Sequence, residues 1–369
     1  MKERLAGYTA GLSWSALALI PLAVAITAFL VSPFILAAGA NPIDVYHRYL
    51  IAPLSTQFSL LEVLVSATPI LFTGAAVALA FRAGYWNIGA EGQLLCGAIA
   101  AAWVGTVVGG MPQVAALPLM IGAGALAGAA WALGPALLRV RFGIDEVVTT
   151  LLLNPVALLL VNALLHGPWR DPLTGFPESE PIAASAQFPQ LFERARVHLG
   201  LPLALVIIGI VWLVLSRTVM GVRLRAAGLS PAAARFAGID VNRTLLMAAL
   251  TSGAIAGIAG VSEVAGIQYR LTGGLSSGFG YTGIVVATLG GLTMPGVLAA
   301  GLLIGDLRVG AGAAARTLGV PSQLGDIISA TLLLVTVALL ALRRHGMLGR
   351  LRARLIARRR PPATTEAAP

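Results

Sequence analysis

Residues 14–38 read WSALALIPLAVAITAFLVSPFILAA, a run of 25 residues without a charged side chain. A helix of this length crosses a bilayer, whereas the apolar core of a secretory signal peptide is shorter. Lys2 and Arg4 precede the run, and Ala37–Ala40 resembles the small-residue site of signal-peptide cleavage. The length nevertheless favours a first membrane helix that is retained in the protein.

The rest of the chain has the same apolar character. Of its 369 residues, 57% are hydrophobic and only 11% are charged, and the mean hydropathy is +0.87. Soluble domains carry about 25% charged residues. Because this small number of charged side chains could not cover a globular surface, lipid must surround most of the protein. The composition predicts an all-α, polytopic transmembrane helical bundle.

The apolar segments set the number of membrane crossings. Segments of spanning length fall at 14–38, 59–81, 86–108, 113–138, 146–165, 201–216, 244–268 and 321–342. A further stretch, 281–311, is interrupted by Gly290–Gly291 and Met294–Gly296, which predicts two shorter helices. The pattern therefore predicts about ten membrane segments.

Basic residues set the orientation of those segments. Lys2 and Arg4 at one end, and an arginine-rich run within 343–369 at the other, predict that both termini are cytoplasmic. Two cytoplasmic termini require an even number of crossings, which agrees with ten. Arg308 and Arg316 fall on the external side in this topology, against the usual bias.

This topology divides the chain into a transmembrane domain, 1–342, and a basic cytoplasmic tail, 343–369. The tail directly follows an apolar segment and has no interleaved aromatic residues. Nucleic-acid binding is therefore not expected, and contact with the anionic headgroups of membrane lipid is.

Two polar connections interrupt the apolar pattern. Residues 166–200 are rich in proline and acidic residues and form the predicted external loop. Residues 217–243 carry five arginines and form the predicted cytoplasmic coupling loop. Within that loop, Ser230 and Pro231 can begin a helix that Gly238 ends, about seven residues later. An ordinary connection needs no such helix, so a docking helix for a cytoplasmic partner is favoured.

Several kinds of chemistry are excluded by missing residues. The only lysine is Lys2, so the chain has no phosphate-binding loop of the G-x-x-x-x-G-K-[ST] type. The four histidines are scattered, which predicts no metal site, and the single cysteine, Cys96, allows no internal disulfide. No catalytic constellation is visible, and we expect a conduit rather than an enzyme, without a cofactor of its own.

Polar residues at membrane depth are the candidates for a substrate pathway. Residues 82–93 form a glycine-rich polar break that includes Glu91, Glu263 lies within an apolar span, and Asn154 is followed by Pro155. Each of them could instead be a hydrogen bond that packs helices together. The candidates are Trp86, Asn87, Glu91, Gln93, Asn154, Glu263 and Gln268.

A set of motifs carries a family resemblance. They are WNIGAEGQ at 86–93, DEVVTT at 145–150 with Asn154, HGP from His166, RAAGLSPAAARFAGI at 225–239 and GYTGIVVA at 280–287. Together they resemble the permease subunits of bacterial ABC importers for nucleosides and simple sugars, a group that also includes branched-chain amino acid permeases. The resemblance covers roughly 60–340, and the NIGAEG sequence is similar to the nucleoside-type branch.

The resemblance implies the partners and the mechanism. It implies a multi-pass permease of the bacterial inner (plasma) membrane, with a cytoplasmic ATP-binding subunit that binds ATP and magnesium. It also implies a second permease chain and an extracytoplasmic solute-binding protein, often a lipoprotein. Nucleosides are the first expectation, simple sugars such as ribose the alternative, and an ion-coupled secondary transporter a weaker one. The implied ATPase-coupling residues are Arg225, Ser230, Pro231, Ala234, Arg235, Phe236 and Gly238.

Overall fold

The structure is a computed structural model that describes residues 19–193, 195–321 and 323–344. Lys2, Arg4 and all of the predicted basic tail beyond Arg344 lie outside these residues. Within them the chain is helical, and the extended pairing amounts to two isolated bridges, Glu178 with Thr272 and Gln190 with His198. The prediction of an all-α protein is confirmed for this part of the chain.

The helices follow one another with short connections, apart from two long ones. In chain order they are α1 (Leu19–Ala37), α2 (Pro42–Leu50), α3 (Gln57–Arg82), α4 (Ala90–Val107), α5 (Gln113–Phe142), α6 (Glu146–His166), α7 (Gly200–Arg217), α8 (Val219–Leu229), α9 (Pro231–Phe236), α10 (Val241–Glu263), α11 (Phe279–Leu289), α12 (Met294–Leu318) and α13 (Gln323–Arg344). A π-helical turn, Val264–Gln268, continues α10.

Seven of the described helices are long and apolar enough to cross a membrane: α3, α4, α5, α6, α7, α10 with its π turn, and α12. Three shorter apolar helices lie within α1, α11 and α13. The predicted split of 281–311 is confirmed, because α11 ends at Leu289 and α12 begins at Met294. Leu292, between them, has a positive φ of 58°.

The centre of the bundle is formed by α3, which packs against α10, α11 and α12, and by α4, α5 and α10, which pack against one another. Glycines let these backbones touch. A Cβ at Gly97 would overlap the backbone of Gly257, and one at Gly128 would overlap the carbonyl of Gly253. Lipid gives apolar side chains little reason to associate, so this close backbone packing holds the helices together.

The first long connection, 167–199, lies across the π turn and the segment that follows it. Backbone N–H groups in the connection donate to carbonyls of the π-turn region: Ser179 to Leu271 at 3.0 Å, Ile182 to Tyr269 at 2.9 Å and Phe188 to Ala265 at 2.8 Å. Arg270 is ion-paired with Glu178. The connection is thereby fixed on the bundle.

The second long connection, 218–240, contains two helices where the sequence predicted one. The unpredicted helix is α8, which begins after Thr218, whose side chain accepts a hydrogen bond from the Gly221 N–H. The predicted helix is α9, six residues long. A second difference concerns the predicted span 86–108: its helix, α4, begins only at Ala90. The reason is the hydrogen-bonded turn at 83–89, which precedes α4.

Candidate functional site

Residues 83–89 (the α3–α4 turn) enter the bundle without helical structure, and Asn87 holds them there. Its Nδ2 donates to Gln93 Oε1 and to Ser252 Oγ, both at 2.9 Å. Its Oδ1 accepts from the Gly89 N–H at 2.9 Å and from Gln93 Nε2 at 3.1 Å. Ser252 in turn donates to the Ala76 carbonyl at 2.8 Å, which ties α10 to α3.

Helix α6 holds the same turn from the other side. Asn154 accepts from the Gly92 N–H and donates to the Ile88 carbonyl, both at 2.9 Å. Nearer the start of α6, Thr150 accepts from the Ile88 N–H at 3.2 Å. Buried backbone groups outside a helix need such partners, because an unmade bond there costs about 1–3 kcal/mol. The turn is stable only while these side chains are present.

Three of the sequence-selected residues, Asn87, Gln93 and Asn154, are therefore brought together, but their polar atoms bind the protein itself. All three are buried. Trp86 lies at the edge of the turn, with its ring half exposed and 4.6 Å from the ring of Phe81. The geometry assigns the three amides to holding the turn in place.

Glu91 follows the turn directly and links α4 to α11. Its Oε2 accepts from the Gly280 N–H at 2.7 Å, and Ser276 lies close enough to interact with the same carboxyl group. A Cβ at Gly280 would overlap the backbone of Glu91, so the two helices meet only because residue 280 is glycine. Thr73 in the middle of α3 completes the junction by donating to the Phe279 carbonyl at 2.9 Å.

Glu263 is the last residue of α10 before the π turn, and Gln268 is the last residue of that turn. Glu263 is buried and Gln268 is half-buried. Tyr269 then takes a left-handed conformation with φ 56°, which ends the helix. π turns of this kind are frequent at functional sites, since they aim side chains that a regular helix would place elsewhere.

Arg308 in α12 lies within electrostatic range of both carboxylates, without an ion pair to either of them among the described residues. Its guanidinium lies 4.9 Å from the centre of the Phe279 ring, and it interacts electrostatically with both Glu91 and Glu263. In the sequence, Arg308 stands out only as a basic residue on the external side of the predicted topology. Its position inside an apolar span, two residues after Asp306, was the signal that could have identified it.

The resulting polar cluster, defined as Glu91, Glu263 and Arg308, suits binding rather than catalysis. Two carboxyl groups offer hydrogen-bond acceptors and one guanidinium offers donors, which is the complement of a neutral solute rich in hydroxyl groups. Within the described residues, no group of three or more potential metal ligands occurs.

The second candidate site is the segment α8–α9. As the sequence predicted, Ser230 caps α9 by accepting from the Ala233 N–H at 3.3 Å, and Gly238 follows the helix with φ 77°. The side chain of Phe236 is 97% exposed. Ala234 points inward and packs with Ala227 and Val241, so it supports the segment and is not part of its outer surface.

The remaining predicted coupling residues surround that helix. Pro231 is the first residue of α9, and Arg235 is exposed beside Phe236. Arg225 lies half-buried on α8, close enough to Arg82 for their like charges to interact. Two exposed groups of different chemistry, an aromatic ring and a guanidinium, thus project from one short helix.

Helix α8 also contacts the α3–α4 turn. The Cα of Gly228 would lie 3.0 Å from a Cβ at Gly84, and a Cβ at Gly228 would overlap the Arg82 carbonyl. Backbone therefore touches backbone where α3 ends. A continuous path of contacts leads from α9 through α8 to the turn, and from the turn to Glu91.

Known proteins with sequences similar to this chain are transport permeases. Residues 59–337 match the profile of a family described as branched-chain amino acid transport system / permease component. A glucose ABC transporter permease protein of Haloferax volcanii is 38% identical over 82% of this chain and 82% of its own. A guanosine ABC transporter permease protein of Bacillus subtilis is 38% identical over 76% of this chain and 82% of its own. A nucleoside ABC transporter permease protein of Lactococcus lactis is 30% identical over 85% and 89%.

Proposed function

Because the chain belongs to the branched-chain amino acid transport system / permease component family, we propose that it is the membrane-spanning permease subunit of an ATP-driven importer. The observation that carries the proposal, beyond the family, is the short capped helix α9 with the fully exposed ring of Phe236. A large aromatic side chain on a small, well-anchored helix is typical of a residue that inserts into a partner's pocket.

The proposed topology has ten membrane segments with both termini cytoplasmic. The seven long apolar helices and the three shorter ones supply that number. Helix α11 counts as one of the ten, although it has 11 residues and a full crossing ordinarily takes about 20 residues. In this topology 167–199 is external and 218–240 is cytoplasmic. Arg308 binds within the bundle, so it does not count against the orientation.

Nucleosides are the proposed solutes, and simple sugars such as ribose are the alternative. Relatives named for guanosine and for nucleosides support the first, and the relative named for glucose supports the second. The polar cluster fits both, since a ribose or a free sugar presents hydroxyl groups to carboxylates. A nucleoside differs by adding a neutral base, for which a partly apolar path is suitable.

The proposed mechanism is alternating access driven by a partner. A separate cytoplasmic subunit would bind ATP and magnesium and move α9 as it closes. Helix α8 would pass that movement to the α3–α4 turn through the contact of Gly228 with Gly84. Glu91 lies two residues after the turn, and its bond to Gly280 would then be made or broken. Solute would leave the polar cluster when that junction opens.

Three further partners complete the proposal. A second permease chain would line the other side of the pathway, and an extracytoplasmic solute-binding protein would deliver the solute. The basic residues of 343–369 would contact anionic lipid on the cytoplasmic face of a bacterial inner membrane. No nucleic acid takes part.

The proposal is tested by purification from native membranes in mild detergent followed by reconstituted uptake of guanosine. We expect an ATP-binding subunit to co-purify, and uptake to require ATP. Phe236→Ala should weaken association with that subunit about thirtyfold, the effect of removing one hot-spot side chain. Leu229→Ala is the matched control, because Leu229 is also apolar and exposed but lies on α8.

Two results would contradict this reading. If the chain purified without an ATP-binding subunit and its uptake collapsed with a protonophore, Glu91 and Glu263 would belong to an ion-coupled transporter instead. If Phe236→Ala and Leu229→Ala behaved alike, α9 would not be the docking helix.

A further inference from the structure

A cavity of about 210 Å³ lies away from the proposed pathway, where two apolar helices end. Trp103 and Thr106 in the last turns of α4 form one wall, and Trp169, Arg170 and Glu180 of the 167–199 connection form the other. Trp103 is 12 residues after Glu91 along α4, which is roughly 18 Å at 1.5 Å per residue. The cavity is therefore distant from Glu91, and none of the three residues of the polar cluster lines it.

Arg170 and Glu180 bring opposite charges to this cavity, and no described residue forms an ion pair with either of them. Arg170 Nε donates to the Gly175 carbonyl at 2.6 Å, which positions the guanidinium. Ser179 Oγ donates to the Glu180 carbonyl at 2.9 Å and accepts from the Leu271 N–H at 2.9 Å, which fixes the backbone of Glu180. The neighbouring acids of the connection are used differently, since Glu178 is paired with Arg270.

The two tryptophans indicate that the cavity lies at a membrane surface. Trp103, in the α4 wall, is 58% exposed, and Trp169, in the wall formed by the 167–199 connection, is half-buried. Tryptophan is enriched where a membrane protein passes from hydrocarbon to headgroups. The helix before Trp169, α6, exposes apolar side chains along its length, including Leu152 and Leu159. A molecule that lies along this apolar surface and fills the charged cavity must therefore have an apolar tail and a polar head.

We propose that this cavity binds the headgroup of a phospholipid that carries a primary ammonium group. The guanidinium of Arg170 would bind the phosphodiester, for which its planar set of donors is suited. The carboxylate of Glu180 would accept hydrogen bonds from the ammonium, and the face of Trp103 would attract the same cation. The acyl chains would lie against the exposed apolar faces of α4 and α6.

The charges also predict what the cavity rejects. A glycerol headgroup has no cation for Glu180, so an anionic phosphatidylglycerol would meet an unpaired carboxylate. A choline headgroup keeps the cation but has no N–H to donate to Glu180. Phosphatidylethanolamine should therefore bind more tightly than phosphatidylcholine, and phosphatidylcholine more tightly than phosphatidylglycerol.

Native mass spectrometry of the full-length chain tests this order, with each of the three phospholipids added in turn to the delipidated protein. We expect phosphatidylethanolamine to bind about tenfold more tightly than phosphatidylcholine, the size of one charge-assisted hydrogen bond. Glu180→Gln should remove that preference, and Arg170→Gln should weaken the binding of both lipids. Glu193→Gln and Arg141→Gln are matched controls, because both residues are exposed and neither lines the cavity.

Three outcomes would overturn the proposal. The first is equal binding of the three lipids by the unaltered chain. The second is an unchanged lipid preference in Glu180→Gln, with binding otherwise intact. The third is displacement of bound lipid by guanosine, which would make the cavity an outer vestibule for solute. Trp103→Leu keeps the cavity apolar and should reduce binding while leaving the order of the lipids unchanged.

Discussion

Asn87, Gln93 and Asn154 differ from Glu91 and Glu263 in how their polar atoms are used, although all five are buried in one helical bundle. The described bonds of the three amides all go to the protein, and they hold the α3–α4 turn. Among the described residues, Glu91 accepts from the Gly280 N–H and lies close to Ser276 and Gly278, whereas no hydrogen bond to the Glu263 carboxyl group is found. Burial alone does not identify a pathway residue; a pathway residue also keeps bonding capacity for a solute.

The largest expected effect is on the amides. Asn87→Leu removes four hydrogen bonds and leaves the Gly89 N–H and both polar atoms of the Gln93 side chain without partners, while Ser252 keeps its bond to the Ala76 carbonyl. We expect the free energy of unfolding to fall by about 4 kcal/mol, at roughly 1–3 kcal/mol for each unmatched group. The yield of monodisperse protein in detergent and its thermal midpoint measure this. Asn242→Leu replaces an exposed amide as the control, and normal yield for Asn87→Leu would contradict the structural role.

A smaller effect concerns His198, which packs behind the π turn against Gly266. Burial lowers the pKa of His198 to about 4, and its Nδ1 accepts from the Gly200 N–H at 3.1 Å. The unfolded chain takes up this proton near pH 6.5, so the folded state loses stability as the pH falls from about 6.5 toward 4. By pH 5 the loss should be about 2 kcal/mol.

Thermal midpoints at pH 7.5 and pH 5 measure that loss. His198→Gln should flatten the dependence on pH, because the group that gains the proton is gone. His166→Gln, at an exposed position, should keep it. If the thermal midpoint changed equally with pH in the unaltered chain and in His198→Gln, the stability of the packing around the π turn would not depend on a neutral His198.

The next effect is on transport. Glu263→Gln keeps the size of the side chain but removes its charge opposite Arg308. We expect uptake to fall about tenfold, the equivalent of roughly 1.4 kcal/mol, while folding is little changed. Reconstituted uptake together with the thermal midpoint separates the two. If Glu263→Gln lowered the thermal midpoint but left uptake per folded molecule unchanged, Glu263 would be a structural residue like the three amides.

The smallest effect is expected at Gln268, which is half-buried at the end of the π turn. Gln268→Ala should reduce uptake about fivefold, since one neutral hydrogen bond is worth about 1 kcal/mol. Its apparent affinity for guanosine should change more than its maximal rate. A change in thermal stability as large as that of Asn87→Leu would contradict this division.

Much of the fold was predictable because its signals are local. The break between α11 and α12 follows from Gly290–Gly291 and Pro295, and helix α9 follows from Ser230 and Gly238. The late start of α4 was not predictable, since it depends on Asn87 bonding to Ser252, 165 residues away. No pattern within one segment contains that information.

The candidate site was predictable only in part, for the same reason. Glu91 and Glu263 could be selected individually because carboxylates within apolar segments are rare. The bond between Glu91 and Gly280 joins residues 189 positions apart, and it is the fold that places Arg308 near both carboxylates. Sequence identified the charged residues, and tertiary structure decides which of them face one another.

The most direct measurement is thiol labelling at two positions of α10 and its π turn. In a Cys96→Ser background, which removes the only native thiol, Gln268→Cys and Ser252→Cys are each exposed to a methanethiosulfonate reagent in the reconstituted transporter. We predict that Gln268→Cys is labelled and that guanosine protects it, while the buried Ser252→Cys stays unlabelled. Labelling of Ser252→Cys with protection by guanosine, and none at Gln268→Cys, would place the pathway among the amides and contradict the assignment of the polar cluster.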